Sequence, residues 1–217
     1  MILLFSGGVD SFIAYHWLNK PPTIYFDINS RYSETERFIV NKLIPRTTIE
    51  KCIDLQSRES LDFNIPFRNL YLAMLAAKYS DEIIIVGIKG DNVSDKTPGI
   101  FFEFSRLLSK MENREIKVSS PFWHHTKEDI VEWYLSQGLP TGPLMSTVSC
   151  YSGYSFYCGQ CASCYRKWVA FRNNGIELDF YSQQLVDIYL IKAKAGYYIE
   201  ERNRSIIKAT EDYLRGH

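Results

Sequence analysis

The sequence predicts an α/β fold, a doubly wound parallel sheet with helices on both faces. Three observations predict it. Short β-rich runs alternate with helical patterns along most of the chain. One of those runs, "EIIIVGI" at 82–88, is continuously apolar, as expected of a strand covered on both faces. The chain also opens on an apolar run that passes directly into a glycine-rich turn, "SGGVDS" at 6–11.

Strands are expected at 2–5, 23–28, 51–55 and 82–88, with a weaker candidate at 116–118. Helical patterns lie between them near 11–19, 33–43, 68–80 and 101–112. The first helix must stop at Pro21-Pro22, which cannot continue it. Thr126 and Asp129 have the spacing of a capping box, and Gly138 closes the helix that follows. After Asn173-Asn174-Gly175 the pattern changes to two helices, 177–195 and 198–214. Residues 1–174 therefore read as one domain and 175–217 as a helical extension. That tail either packs on the domain or mediates dimerisation, and a homodimer is the expected assembly. No internal repeat or low-complexity linker is visible.

Lys+Arg and Asp+Glu number 25 each among 217 residues, for a formal net charge of zero. The basic excess that advertises a nucleic-acid binder is absent, so no direct contact with nucleic acid is expected. No apolar run approaches the roughly 20 residues of a membrane span, and the N-terminus lacks the pattern of a signal peptide. A soluble, cytoplasmic protein is the expectation. Four of the five cysteines crowd between Cys150 and Cys164, while Cys52 stands apart. An odd count suits a secreted disulfide framework poorly. In a reducing compartment such a cluster more often binds metal.

The glycine-rich turn sits where ligands bind in open α/β sheets, beyond the carboxyl end of a strand. Gly7 and Gly8 lack Cβ atoms, so backbone N–H groups can approach an anion at the positive end of the next helix. Ser6 and Ser11 add hydroxyl donors. Asp10 cannot bind phosphate directly and is expected to orient the loop or a Mg²⁺ ion. No Gly-Lys-Ser/Thr follows, so this is not the Walker loop. The four thiols of Cys150, Cys158, Cys161 and Cys164 match a closed tetrahedral zinc site, with Gly153 and Gly159 allowing the turns. Iron–sulfur and unmetallated readings stay open, because Cys-x₂-Cys-x₂-Cys also occurs in ferredoxin-like runs. Cys52 reads as an inert core residue, and His124-His125, lacking a third partner, as non-metal.

Taken whole, "FSGGVDS" resembles the loop of the PP-loop, or N-type, ATP pyrophosphatases, whose fold is adenine nucleotide alpha-hydrolase-like. Within that superfamily, residues 1–173 resemble the 7-cyano-7-deazaguanine synthase (QueC) family. The resemblance rests on "FSGGVDS", "IPFRN" at 65–69, "VGIKGDN", "SPFWHHTKEDI" and "TVSCYSG…CGQCASCYRKWVAF", the last followed through Arg166. Two segments, 27–32 and 92–104, depart from the family's usual pattern.

The resemblance implies conversion of 7-carboxy-7-deazaguanine and ammonia to 7-cyano-7-deazaguanine (preQ0), through an adenylate, an amide and a second adenylation. The product would feed queuosine or modified-DNA synthesis. The implied cofactors are ATP and Mg²⁺, bound at Ser6, Gly7, Gly8, Val9, Asp10 and Ser11, and Zn²⁺ on the four cysteines. Asp10, Arg68 and Lys127 would be catalytic, with Arg68, Asn69 and Asp91 facing the substrate. Two related readings keep the loop: adenylation of a different acceptor or arrest at the amide, and sulfur transfer to tRNA should the cysteines hold an iron–sulfur cluster. A nucleotide-binding regulator without chemistry is the reading from another class.

Overall fold

The computed structural model describes residues 1–51, 53–60, 65–91, 93–148, 150 and 157–215. The first strand, β1 (Ile2–Leu4), leads into α1 (Val9–Trp17). There follow β2 (Thr23–Phe26), α2 (Ser33–Leu43), the short β3 (Thr48–Glu50) and α3 (Arg68–Ala76). Next come β4 (Glu82–Ile84), α4 (Pro98–Glu112), β5 (Lys117–Ser119), α5 (Lys127–Ser136) and α6 (Thr141–Met145). The chain closes with α7 (Ala162–Asn173), α8 (Gln183–Lys194) and α9 (Glu200–Arg215).

The strands form one parallel sheet in the order β3-β2-β1-β4-β5. The register sets Leu3 beside Thr23 and Ile84, and Ile24 beside Thr48. Side chains alternate across this sheet as strand geometry requires. Leu3, Tyr25, Ile84 and Val86 enter one core with α1 and α5. Ile2, Ile24, Phe26, Ile83 and Ile85 enter another with α3 and α4. Burial on both faces explains why β4 reads as an unbroken apolar run. The expected doubly wound α/β architecture is the one observed. A third core joins α7, α8 and α9 around Trp168, Tyr165, Val186 and Ile206, and it includes Ile39 of α2.

Some element bounds differ from the sequence reading. The third strand lies at Thr48–Glu50, not 51–55. Asp54 accepts a hydrogen bond from the Gln56 amide at 2.9 Å and opens a 3₁₀ turn at Gln56–Arg58, so the apolar pair Ile53 and Leu55 does not extend a strand. The expected core role of Cys52 falls outside the described residues, as does the turn assigned to Gly153. The first helix begins at Val9, immediately behind the glycines, and the first tail helix begins only after Ser182, whose side chain accepts from the Leu185 amide. The helices α6 and α7 carry no distinct signal in the motif-rich stretch they occupy.

Strand order reverses between β1 and β4, the neighbours at the centre of the sheet. At such a switch point the segments leaving two adjacent strands diverge and open a crevice. The turn after β1 and the segment after β4 are therefore the walls of the candidate site.

Candidate active site

A cavity of about 260 Å³ occupies that crevice, and all three sequence-predicted catalytic residues line it. Asn69, Asp91, Cys150 and Arg166 line it too. Its floor is the β1–α1 turn. Gly7 has φ +73°, and a Cβ there would lie 2.8 Å from Ile39 Cγ2. Gly8 is the N-cap of α1 in extended conformation, and no side chain caps that helix. The first turn of α1 thus presents backbone N–H groups that lack intrahelical partners, together with the helix's positive end. Ser11 Oγ donates to the Gly8 carbonyl at 3.1 Å and lies 3.4 Å from Ser6 Oγ. The Val148 amide donates to the Gly7 carbonyl at 2.9 Å and fastens the turn to the stretch of chain leading to Cys150.

Asp10 and Lys127 form an ion pair across the pocket floor. Lys127 is the first residue of α5, held there by the expected capping box: Thr126 accepts from the Asp129 amide at 3.2 Å and Asp129 accepts from the Thr126 amide at 2.8 Å. Burial lowers the Lys127 pKa more than Asp10 raises it, and Arg166 adds to the lowering. Asp91 lies opposite, 2.8 Å from Arg166 and 2.9 Å from Lys96. Burial alone would raise its pKa, but Lys96 and Arg166 override that and hold the carboxyl well below the usual range. Asp91, expected from the sequence to face the substrate, is thus an ion-pair centre.

Arg68 starts α3, after Phe67 in the left-handed conformation (φ +60°), and donates to the Tyr32 hydroxyl at 3.1 Å. The neighbouring Asn69 is engaged twice by Asp95, through its amide at 3.0 Å and its side chain at 2.8 Å. Behind Arg68 stands Glu36, which accepts from Tyr25 Oη at 3.0 Å. Burial pushes the Glu36 carboxyl up to about 7, although Arg68 and the Tyr25 hydrogen bond oppose the shift and Asp27 adds to it. Asp27 is itself paired with Arg37 at 2.8 Å. Sequence reasoning missed Glu36, Tyr32 and Lys96 as pocket residues, and Asp95 as the partner that holds Asn69. For Glu36 a signal existed: within the pattern of 33–43 it shares the inward side with Ile39 and Val40.

The sulfur atoms of Cys150, Cys158, Cys161 and Cys164 all lie within 4.8 Å of one another. Zinc–sulfur bonds of about 2.3 Å in a tetrahedron place sulfurs ~3.8 Å apart, and Cys158 and Cys164 are 3.8 Å apart. The donors therefore fit a metal ion. Among the described residues this is the single group of three or more metal-ligating side chains so placed. Hydrogen bonding to Cys161 and burial raise the Cys164 pKa, so crowding disfavours ionised thiols until a cation is present. Cys161 also caps α7, accepting from the Cys164 amide at 3.4 Å. The cluster thereby fixes the start of the helix that carries Arg166. At Gly159 (φ +63°) a Cβ would strike the Tyr181 ring at 2.7 Å. His124 and His125 lie on the loop before α5, where His125 packs edge-on to Trp17 and Phe122. No helix among the described residues is long and apolar enough to cross a membrane.

A parallel α/β sheet with an anion-ready turn at its switch point and four convergent thiols defines an α/β ligand-binding fold with a candidate metal centre. The family model described as "Queuosine biosynthesis protein QueC" matches residues 31–175, two thirds of the chain, and the chain belongs to that family. The match starts beyond the β1–α1 turn and stops at the end of α7. The 7-cyano-7-deazaguanine synthase of Persephonella marina is 28% identical over 226 residues, covering 85% of this chain and 97% of that protein. That of Hahella chejuensis is 27% identical over 208 residues, covering 80% and 88%. The 7-cyano-7-deazaguanine synthase 2 of Sulfurisphaera tokodaii is 28% identical over 216 residues, covering 81% of this chain but 46% of that protein. The chain thus spans about half the length of that archaeal relative.

Proposed function

We propose that the chain uses ATP and ammonia to convert 7-carboxy-7-deazaguanine to 7-cyano-7-deazaguanine. The observation that carries this reading is the convergence of the glycine-rich turn, Lys127, Arg68 and Arg166 on one pocket in a QueC-family chain. A carboxylate is a poor electrophile, so it must first be given a leaving group. Its oxygen attacks the α-phosphorus of ATP and pyrophosphate leaves. Ammonia then adds to the carbonyl carbon, AMP leaves and a proton is shed. The amide oxygen then attacks the α-phosphorus of a second ATP, and pyrophosphate leaves with loss of a proton. Departure of that AMP, with loss of a second proton, forms the nitrile.

No covalent bond to the enzyme is needed, so the side chains position groups and stabilise charge. Ser6, Gly7, Gly8, Val9 and Ser11 would cradle pyrophosphate at the α1 N-terminus, with Lys127 opposite it. Asp10 would orient Lys127, and one carboxylate beside phosphate oxygens suits Mg²⁺, which neutralises phosphate charge when bound. Arg68 would hold the substrate carboxylate in a fork, and Asn69 and Asp91 would face the base. Glu36, with a carboxyl poised near neutrality beside Arg68, suits the proton that ammonia sheds. Zinc on Cys150, Cys158, Cys161 and Cys164 would brace the fold.

The test is product analysis by chromatography after incubation with ATP and ammonium, with and without the carboxylate base. Base-stimulated release of AMP and pyrophosphate supports the reading. ADP as the main product, or AMP release indifferent to the base, sinks it. A second reading, adenylation of another acceptor or arrest at the amide, is favoured by one observation. The wall holding Tyr32, Val93 and Lys96 is built from the two segments that depart from the family pattern.

A further inference from the structure

We propose that α9, beyond the family-matched span, is a working part of the site, and that Arg202 and Ser205 are positioning residues for its charged groups. Three charged pocket residues, Asp91, Lys127 and Arg166, each have a chain neighbour held by the tail of residues 175–217. Arg202 Nη1 donates to the Gly90 carbonyl at 3.3 Å, one residue before Asp91. The grip is tight, because a Cβ on Gly90 (φ +81°) would lie 2.9 Å from Ile199 Cδ1, and Lys89 pairs with Glu201 at 2.7 Å. Ser205 donates to the Glu128 carboxylate, one residue after Lys127. Asn173 of α7 bridges the same two groups, at 2.8 Å to Glu128 and 2.9 Å to the Ser205 carbonyl. Tyr165, one residue before Arg166, stacks on Tyr189 of α8 with centroids 4.4 Å apart, and Tyr189 stacks in turn on Tyr198 at 6.3 Å. Arg202 completes this column, its guanidinium 4.1 Å from the Tyr198 ring centre.

Residues 202 and 205 lie three apart, on one face of α9. A single rigid helix therefore grips both segments that deliver opposite charges to the pocket, the one after β4 and the start of α5. The segment after β4 is also joined directly to the chain entering α5, by the Lys89 amide donating to the His125 carbonyl at 2.8 Å. The need for an external brace follows from the charges. Lys127 and Arg166 repel each other, as do Arg166 and Arg202, and each repulsion lowers a pKa in the group. The ion pairs to Asp10 and Asp91 offset part of this repulsion, and the backbone and neutral contacts from α9 fix where the paired groups sit. Misplacement by about 1 Å is enough to cost on the order of 10²-fold in rate.

The turnover arm of this proposal rests on the adenylating reading above, and the exchange arm does not. Arg202→Met removes the donor to Gly90 while keeping the stem over Tyr198, Arg202→Lys restores a donor, and Ser205→Ala removes the α9 donor to Glu128 and leaves Asn173 alone on that carboxylate. Hydrogen exchange of Lys89, Asp91 and Ile130 amides is read alongside steady-state AMP release. For Arg202→Met and Ser205→Ala we expect exchange at those amides to quicken about tenfold or more, while β1 and β2 amides keep their rates. In the same variants kcat should fall by about 10- to 100-fold with KM for ATP within about threefold, and Arg202→Lys should recover most of the loss. Uniformly faster exchange, unchanged exchange at those three amides, or a kcat loss that Arg202→Lys leaves uncorrected overturns the proposal. Should Arg202→Met not fold, Ser205→Ala decides by the same measures. Should the wild type release no AMP, the functional reading fails and exchange alone decides the positioning role.

Discussion

Replacing Glu36 by Gln should stabilise the protein in a pH-dependent way. The carboxyl of Glu36 lies beside Arg68 and Asp27, accepts from Tyr25 at 3.0 Å, and is pushed from 4.5 up to about 7, chiefly by burial. The folded chain therefore holds this proton more tightly than the unfolded chain. Below pH 4.5 both states keep it, and the group makes no difference. Between 4.5 and about 7 the unfolded chain ionises first, so stability falls as pH rises, and above about 7 the loss is complete. At ~1.4 kcal/mol per pH unit the full shift corresponds to ~3 kcal/mol. Because the side chain borders the pocket, solvent screens part of that, and we expect ~1–3 kcal/mol. Glutamine keeps an acceptor for Tyr25 but has no proton to lose. Denaturant unfolding of both proteins at about pH 5 and about pH 8 isolates the group, since contributions common to both cancel in the difference. Glu36→Gln should gain ~1–3 kcal/mol relative to wild type across that window. A difference that is flat with pH, or that shrinks as pH rises, refutes the reasoning.

Metal analysis of the purified chain should find about one zinc per chain, as one four-thiol site holds one ion. Cys161→Ser should lose the metal and lower Tm, because metal binding contributes folding free energy; iron with sulfide would contradict this and promote sulfur transfer. Gly7→Ala forces a side chain into φ +73° and against Ile39, so unfolding should show a loss of ~2 kcal/mol or more. Unchanged stability would mean that the turn can relax. Lys127→Met leaves the Asp10 carboxylate without its partner, so calorimetry should find pyrophosphate binding weakened at least about tenfold, the effect of losing ~1.4 kcal/mol. Binding as tight as in the wild type would remove Lys127 from phosphate handling.

The sheet and its order of elements were legible because β4 and β1 are buried on both faces and read as apolar runs. The capping box at Thr126 was legible because its two hydrogen bonds are local in sequence. Local signals also marked the glycine-rich turn and the cysteine spacing. The edge strand β3 was not, since Thr48–Glu50 is only partly buried and lacks the apolar signature, while the more apolar 51–55 is broken by the Asp54 turn. The charged and polar partners of pocket residues were invisible for a different reason. Asp91 with Arg166, Asp10 with Lys127 and Asn69 with Asp95 are separated by 75, 117 and 26 residues. No periodicity within one element reports a pair of that separation. Arg166 was visible as part of a motif, but its place at the pocket follows from α7, whose start the cysteines fix.

In the proposed reaction this pocket turns a deazaguanine carboxylate into a nitrile. The most direct measurement supplies ATP, 7-carboxy-7-deazaguanine and ¹⁵N-ammonium to the purified protein and follows the base by mass spectrometry and the nucleotides by chromatography. The expected course is a labelled amide that rises and then falls, a labelled nitrile that replaces it, and two AMP released for each nitrile. The amide supplied alone with ATP should give the nitrile as well. A base recovered unchanged while active-site ligands still bind, or label that stops at the amide, would contradict the claim and leave an adenylating pocket with a different product.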